Sequence, residues 1–292
     1  MINKKTILIL ISALIFSYCN KSPTDSSPPG LVTGMAAVNG TSLYYEIQGK
    51  GHPLVLIEGG QLDLRMWDDQ FSELSKNYQV IRYDLRGFGR SGESGASYQA
   101  HEDLRALLDT LAIEQIHLVG LSGGGRISID FALEYPERVS SLVLASPGLS
   151  GFNWSGFDWF NPIWEAIQDG DSIRAAELWL ESPYMAPAME QDELADRLRN
   201  LAVENSRVWA HPDTKEAPLS PPAVGRLDEL RAPTLLLVGS RDIPDIHKIV
   251  QLLLAADIPD VRRVIFEGSG HMVNMEQPEM FNKVLMDFLK GL

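Results

Sequence analysis

The sequence predicts an α/β protein built on a mostly parallel sheet with helices on both faces. Three observations carry this. Strand-like and helix-like segments alternate along most of the chain, the pattern that packs helices against both sides of a parallel sheet. Pro53 to Ile57 and Thr234 to Val238 are almost unbroken apolar runs, as expected for strands covered on both faces. The run Ile116-His117-Leu118-Val119 passes directly into Gly120-Leu121-Ser122-Gly123-Gly124 and then into the helical pattern of Gly125 to Leu133. The 292 residues, 45% of them hydrophobic, supply ample material for such a core.

The elements follow in order from a start near Met35. Asn39-Gly40 lies between Ala36-Ala37-Val38 and Ser42 to Ile47; it accepts the positive φ angles of a tight turn and predicts a hairpin. After the strand Pro53 to Ile57, Trp67 to Lys76 shows helical spacing, with Trp67, Phe71 and Leu74 along one face. Gln79 to Tyr83 reads as a strand. His101 to Leu111 reads as a helix that turns Leu104, Leu107, Leu108 and Leu111 inward. Then come the strand and helix around Ser122, and the strand Ser141 to Ala145. Thr234 to Val238, Ile246 to Ala256, Val261 to Phe266 and Phe281 to Leu289 continue as strand, helix, strand, helix.

Between Leu149 and Arg226 the alternation breaks. This stretch holds every tryptophan of the chain except Trp67, together with Phe152, Phe157, Phe160 and Tyr184. Helical patterns run from Pro162 to Gln168, Ser172 to Glu181 and Asp192 to Val208. The expected organisation is a core of residues 35–148 and 227–292 with a helical insertion, residues 149–226, between its halves.

Residues 1–19 have the pattern of an export signal. Lys4 and Lys5 precede an apolar stretch, Thr6 to Phe16, too short to span a bilayer comfortably. Cys19 follows and is the sole cysteine, so an internal disulfide is impossible. Residues 20–34 are polar and rich in Pro and Ser, which predicts a disordered tether. The whole start resembles a bacterial lipoprotein, which implies lipid on Cys19 and a place in the cell envelope, although Phe16 and Tyr18 depart from the usual residues before the cysteine. Conventional cleavage nearby, giving a periplasmic or secreted protein, and an uncleaved anchor remain open. A net charge of −14 argues against nucleic acid as a partner and means that any membrane attachment must come from this N-terminus.

The Gly-x-Ser-x-Gly turn carries chemistry. Small neighbours allow a cramped strand-to-helix turn that holds the serine hydroxyl above the sheet, and the helix aims its free amides where negative charge develops. A serine needs a base, and imidazole titrates near neutrality, so His271 in the Gly268-Ser269-Gly270-His271 loop is the candidate. The acid that orients it is Asp242, after the strand Leu235 to Val238, or else Asp245; either can instead cap the next helix.

Taken with Glu58-Gly59-Gly60 and Tyr83-Asp84-Leu85-Arg86-Gly87-Phe88-Gly89-Arg90-Ser91, these motifs in this order resemble the α/β-hydrolase superfamily from about Leu54 onward. The resemblance implies the α/β-hydrolase fold with a helical cap, a Ser122-His271-Asp242 triad, and an oxyanion hole from the backbone amides of Gly60 and Gly123. It makes Asp84 and Arg86 loop-stabilising residues. It also exposes a departure, since Glu58 stands where relatives carry histidine. Glu58 is expected to pair with a cation such as Arg126 or Arg86, or else to line the substrate pocket. The cap aromatics are expected to pack the insertion onto the core, some of them lining an apolar pocket under an opening lid.

The implied activity is hydrolysis of carboxylic esters or lactones, small-molecule substrates, through an acyl-enzyme. A proline-peptide hydrolase and a cofactor-free perhydrolase share the scaffold, and a ligand-binding protein with slow turnover is the reading from another class. No cofactor or metal is implied, because no histidine–carboxylate cluster has ligand spacing.

Overall fold

The structure, a computed structural model, describes residues 30–93, 96–210 and 215–292. The signal-like start, Cys19 and His211 lie outside the described residues. Eight strands form one sheet: β1 Val32–Val38, β2 Thr41–Gln48, β3 Pro53–Ile57, β4 Gln79–Tyr83, β5 Ile116–Leu121, β6 Val139–Ala145, β7 Thr234–Gly239 and β8 Val261–Phe266. Their spatial order is β1-β2-β4-β3-β5-β6-β7-β8. β1 and β2 are antiparallel to their neighbours, and every pairing from β4 to β8 is parallel. The fold class is therefore that of the sequence reading.

The hairpin turns at Asn39-Gly40, both with positive φ, and pairs Val38 with Thr41. β1 opens at Val32, three residues before the expected start at Met35. Val32, Thr33 and Gly34 pair with Ile47, Glu46 and Tyr45. A Cβ on Gly34 would lie 2.5 Å from the Tyr45 hydroxyl, so this glycine seats a ring against the strand and is not tether.

The core lies on both faces of the sheet, and strand alternation sorts it. Leu54 and Leu56 of β3 point into one cluster with Leu235 and Leu237 of β7; Val55 and Ile57 point into the other with Leu236 and Val238. The first face is covered by α1 Asp68–Leu74 and, at the C-terminus, by the helix Pro278–Lys290 through Phe281 and Leu285. The second is covered by α2 Ala100–Thr110 and α3 Gly123–Glu134 through Leu104, Leu107, Ile127 and Phe131, and by a later helix, Pro244–Ala255, through Ile246 and Ile249. β1 and β8 are the edge strands, and β8 carries the exposed Arg262 and Arg263.

Between β6 and β7 lies a helical insertion: α4 Asn161–Gln168, α5 Ser172–Leu180, α6 Ala186–Met189, α7 Asp192–Glu204 and α8 Arg207–Ala210. Its apolar residues, Ile163, Leu198 and Trp209 among them, join the first cluster, so the insertion shares that core. The helix expected to run from Asp192 to Val208 breaks at Asn205. This buried side chain donates to Leu62 O at 2.9 Å and accepts from Gly89 N at 2.9 Å, tying the insertion to two core loops. α9 Pro244–Ala255, α10 Val273–Glu276 and α11 Pro278–Lys290 complete the chain. Among the described residues no helix is long and apolar enough to cross a membrane.

Candidate active site

Strand order reverses between β3 and β5, because β4 lies on one side of β3 and β5 on the other. In open parallel sheets, loops at the carboxyl ends of strands diverge at such a point and leave a crevice. Gly59 and Gly60 follow β3, and Ser122 follows β5.

Ser122 has φ 54° and ψ −114°, a strained conformation for a residue with a side chain. The neighbouring glycines make it feasible. A Cβ on Gly120 would meet Gly124 O at 2.3 Å, and one on Gly124 would meet Ile57 O of β3 at 2.3 Å. Ser122 N donates to Ala145 O at 3.0 Å, and Ser122 O accepts from Arg126 N at 3.0 Å and Gly148 N at 2.8 Å. α3 begins at Gly123 with no side-chain cap, so its first amides are available at the serine. Gly60 is at hand: a Cβ built on Gly123 would touch only Gly60 N, at 3.5 Å.

His271 and Asp242 come together from the other half of the core. Asp242, after β7, accepts hydrogen bonds from His271 Nδ1 at 3.0 and 3.1 Å, with both side chains buried. Asp245 is engaged elsewhere. It accepts from Ser155 N at 2.5 Å, Ser155 Oγ at 2.8 Å and Lys248 Nζ at 2.7 Å, fastening the start of the insertion to α9. Gly239 lets the histidine loop cross the end of β7, since a Cβ there would lie 2.0 Å from Gly270 O.

Ser122, Gly60 and His271 line one cavity of about 190 Å³. Nδ1 of the ring faces Asp242, which leaves Nε2 as the nitrogen available to a substrate-bound serine. The described contacts include no hydrogen bond between Ser122 and His271; such contacts tighten in the complex with substrate. Trp159, Phe160, Trp179, Tyr184 and Trp209 of the insertion complete the lining. Tyr184 stands edge-on to His271 at 4.6 Å and to Trp159 at 5.3 Å, and burial pushes its phenol above the usual value, keeping it protonated. The other aromatics of the insertion divide: Phe152 and Trp154 meet edge to face at 5.2 Å, and Trp164 is 45% exposed. The side chain of Phe157 lies outside the described residues.

The expected pairing of Glu58 with a cation does not occur. Arg86 is held by Asp103 through two 2.7 Å bonds, and Arg126 by Glu216 at 2.7 and 2.9 Å. Glu58 also lines neither of the two cavities beside Gly60. It is fully buried; Oε1 accepts from Leu85 N at 2.7 Å and Oε2 has no partner. Burial first, then the Asp84 and Asp63 carboxylates, push its pKa well above the usual range, whereas the Leu85 amide lowers it. Burial thus favours the neutral form of Glu58, and through Leu85 N its side chain holds the loop after β4. Asp84 accepts from Leu64 N at 3.0 Å and Arg90 N at 2.7 Å, stabilising the adjoining loops.

Two positioning residues escape the sequence reading. Glu276 accepts from Gly270 N at 2.7 Å and Met272 N at 2.9 Å, gripping the backbone on either side of His271, and no spacing rule points to it. Asn205 is the other. Asparagine as a helix stop is the signal that marks it. Among the described residues no group of three or more His, Cys, Asp or Glu side chains is arranged to hold a metal.

Comparison with known proteins agrees with this architecture. The alpha/beta hydrolase fold family matches residues 52–278. The chain is 32% identical over 267 residues to a 2-hydroxy-6-oxononadienedioate/2-hydroxy-6-oxononatrienedioate hydrolase of Paraburkholderia phymatum, covering 86% of this chain and 92% of that protein. Among solved structures it is similar to the enol-lactonase of Burkholderia xenovorans LB400, with a TM-score of 0.74, 26% identity, and 88% and 100% of the two chains covered. Est816, an N-acyl homoserine lactone degrading enzyme, gives a TM-score of 0.70 and 26% identity over 87% and 100% of the chains. On the family match, the sequence similarity and the shared fold, the chain belongs to the alpha/beta hydrolase fold family.

Proposed function

We propose that this protein is a serine hydrolase that cleaves carboxylic esters or lactones of small, partly apolar substrates. The observation that carries the reading is the 3.0 Å Asp242–His271 pair, opening on the cavity in which Ser122 stands at the start of α3. In this reading Ser122 Oγ attacks the substrate carbonyl while its proton passes to His271 Nε2. Asp242 holds the Nδ1–H and stabilises the imidazolium. The amides of Gly60 and Gly123 donate to the oxyanion. Collapse of the tetrahedral intermediate breaks the carbon–oxygen bond, and His271 returns the proton to the leaving oxygen. Water then repeats the sequence and frees the acid. The likeness to an enol-lactonase and to an N-acyl homoserine lactone degrading enzyme supports the oxygen-ester choice.

A second reading, hydrolysis of a carbon–carbon bond beside a ketone, is favoured by the 32% relative. One panel separates the two: p-nitrophenyl esters, an enol-lactone and a 2-hydroxy-6-oxo-dienoate, each assayed beside Ser122→Ala. The ester reading expects turnover of the first two, lost at least about 10³-fold in Ser122→Ala. Turnover of the dienoate alone contradicts it.

A further inference from the structure

A second cavity, of about 140 Å³, adjoins the first. Gly60 lines both, and Gly123 lines the second, so the two amides assigned to the oxyanion stand where the cavities meet. A substrate whose carbonyl sits at that junction must send its two halves in different directions. The first cavity, walled by Trp159, Trp179, Tyr184 and Trp209, suits a flat apolar group. The second has another character.

Its walls include Tyr83 at the end of β4, Arg86 beyond it, Arg126 of α3 and Glu216 from the return of the insertion. Arg86 spends Nε and Nη2 on Asp103, and Nη2 also on Asn39 O at 3.1 Å; its Nη1 is buried without a partner. The Tyr83 hydroxyl is likewise buried and unpartnered. Burial foremost pushes the Tyr83 phenol up, with the Asp103 and Glu216 carboxylates adding to it, so it remains a donor. Two unspent donors on residues of one wall favour an incoming acceptor oxygen, because pairing donors that are already buried and unpartnered recovers free energy that an apolar group cannot.

The charge balance says which oxygen. Asp103 neutralises Arg86, and Glu216 with Asp130 at 3.4 Å more than neutralises Arg126. A carboxylate entering here meets the Asp103 and Glu216 carboxylates of the wall and no unmatched cation. A carbonyl, ether or hydroxyl oxygen takes the free donors without that repulsion.

We infer that the second cavity receives the smaller half of the substrate and selects an uncharged half that carries an acceptor oxygen. This rests on the ester-hydrolase reading. The test uses four p-nitrophenyl esters, whose aryl group goes to the aromatic cavity: acetate, methoxyacetate, its isostere butyrate, and hemisuccinate. Rates are divided by those of hydroxide-catalysed hydrolysis to remove intrinsic reactivity. Wild type is expected to favour methoxyacetate over butyrate by about tenfold in kcat/KM and to disfavour hemisuccinate. Tyr83→Phe, which keeps the ring, is expected to collapse the methoxyacetate-to-butyrate ratio toward unity. Ala100→Leu, placed in the same wall, is expected to penalise both of these longer acyl groups relative to acetate.

A ratio equal in wild type and Tyr83→Phe, or hemisuccinate preferred, overturns the inference and leaves the hydrolase reading standing while Ser122→Ala is inactive. Turnover that survives in Ser122→Ala overturns the hydrolase reading itself. Where no ester is turned over that reading also falls, and calorimetric binding of methoxyacetate and butyrate esters to wild type and Tyr83→Phe still decides the oxygen preference.

Discussion

Asp242 and Asp245 sit in one short loop, and their sequence contexts are too alike to separate them. The fold separates them by partner. Asp242 holds His271 Nδ1, whereas Asp245 fastens Ser155 and Lys248. Asp242→Asn is therefore expected to lower kcat by about 10³–10⁴-fold, because the amide favours the wrong tautomer of the ring. Asp245→Asn is expected to leave kcat within a few-fold and to lower Tm by a few degrees through the weakened tie to Ser155. Steady-state kinetics and thermal unfolding of the pair check this, and a reversed pattern moves the acid to Asp245. Glu58 teaches the opposite lesson. Its departure from the family was visible in the sequence, but its partner was not, because Arg86 and Arg126 are claimed by Asp103 and Glu216 from distant segments. Its raised pKa has a signed consequence. As pH rises through the usual carboxylate range, unfolded Glu58 loses its proton while the buried acid keeps it. Its contribution to stability is full below that range and is lost as pH climbs toward the folded value. Glu58→Gln is expected to remove this slope, so its Tm advantage over wild type grows with pH. Equal slopes in the two proteins contradict a protonated Glu58.

At the scale of elements, the strands were the most legible part. β3 and β7 are almost unbroken apolar runs because both faces are covered, and the hairpin was written in Asn39-Gly40. Boundaries failed where side chains act at long range. Val32 to Gly34 read as tether because Gly34 hides its reason, the Tyr45 ring, on another strand. The break after α7 was marked only by the stop signal of an asparagine, since the Asn205 side chain serves Leu62 and Gly89 and not its own helix. That service also bears on function, because Leu62 closes the loop that carries Gly60. Asn205→Ala leaves buried backbone groups unpaired, a loss of roughly 1–3 kcal/mol for each. The expected result is a lower Tm together with about tenfold lower kcat/KM, read by calorimetry and ester kinetics. A variant that loses stability alone contradicts the link to the loop that carries Gly60.

At the scale of the molecule, the sheet order brings six loops to one end: those after β3, β4, β5, β6, β7 and β8. Ser122, Asp242 and His271 lie far apart in sequence, and the order of motifs was enough to predict that they converge. The shape of what they converge on was not predictable. The aromatic lining comes from Trp159, Tyr184, Trp179 and Trp209 on separate helices of the insertion, and only their packing decides which rings face the cavity. The insertion is also fastened at Ser155, Asn205 and Arg207, the last donating to Phe88 O and Ser91 O at 2.9 and 2.8 Å. These ties fit a fixed roof better than a freely opening lid.

The central claim is that Ser122 is the nucleophile, activated by His271 and Asp242. Intact-mass spectrometry after treatment with a fluorophosphonate tests it most directly, since the reagent forms a stable adduct with an activated serine and imitates the tetrahedral intermediate. Wild type is expected to gain one adduct, mapped by proteolysis to the peptide bearing Ser122, with loss of ester turnover in step. Asp242→Asn is expected to react far more slowly, and Ser122→Ala not at all. An adduct on another residue, or full turnover in Ser122→Ala, contradicts the account.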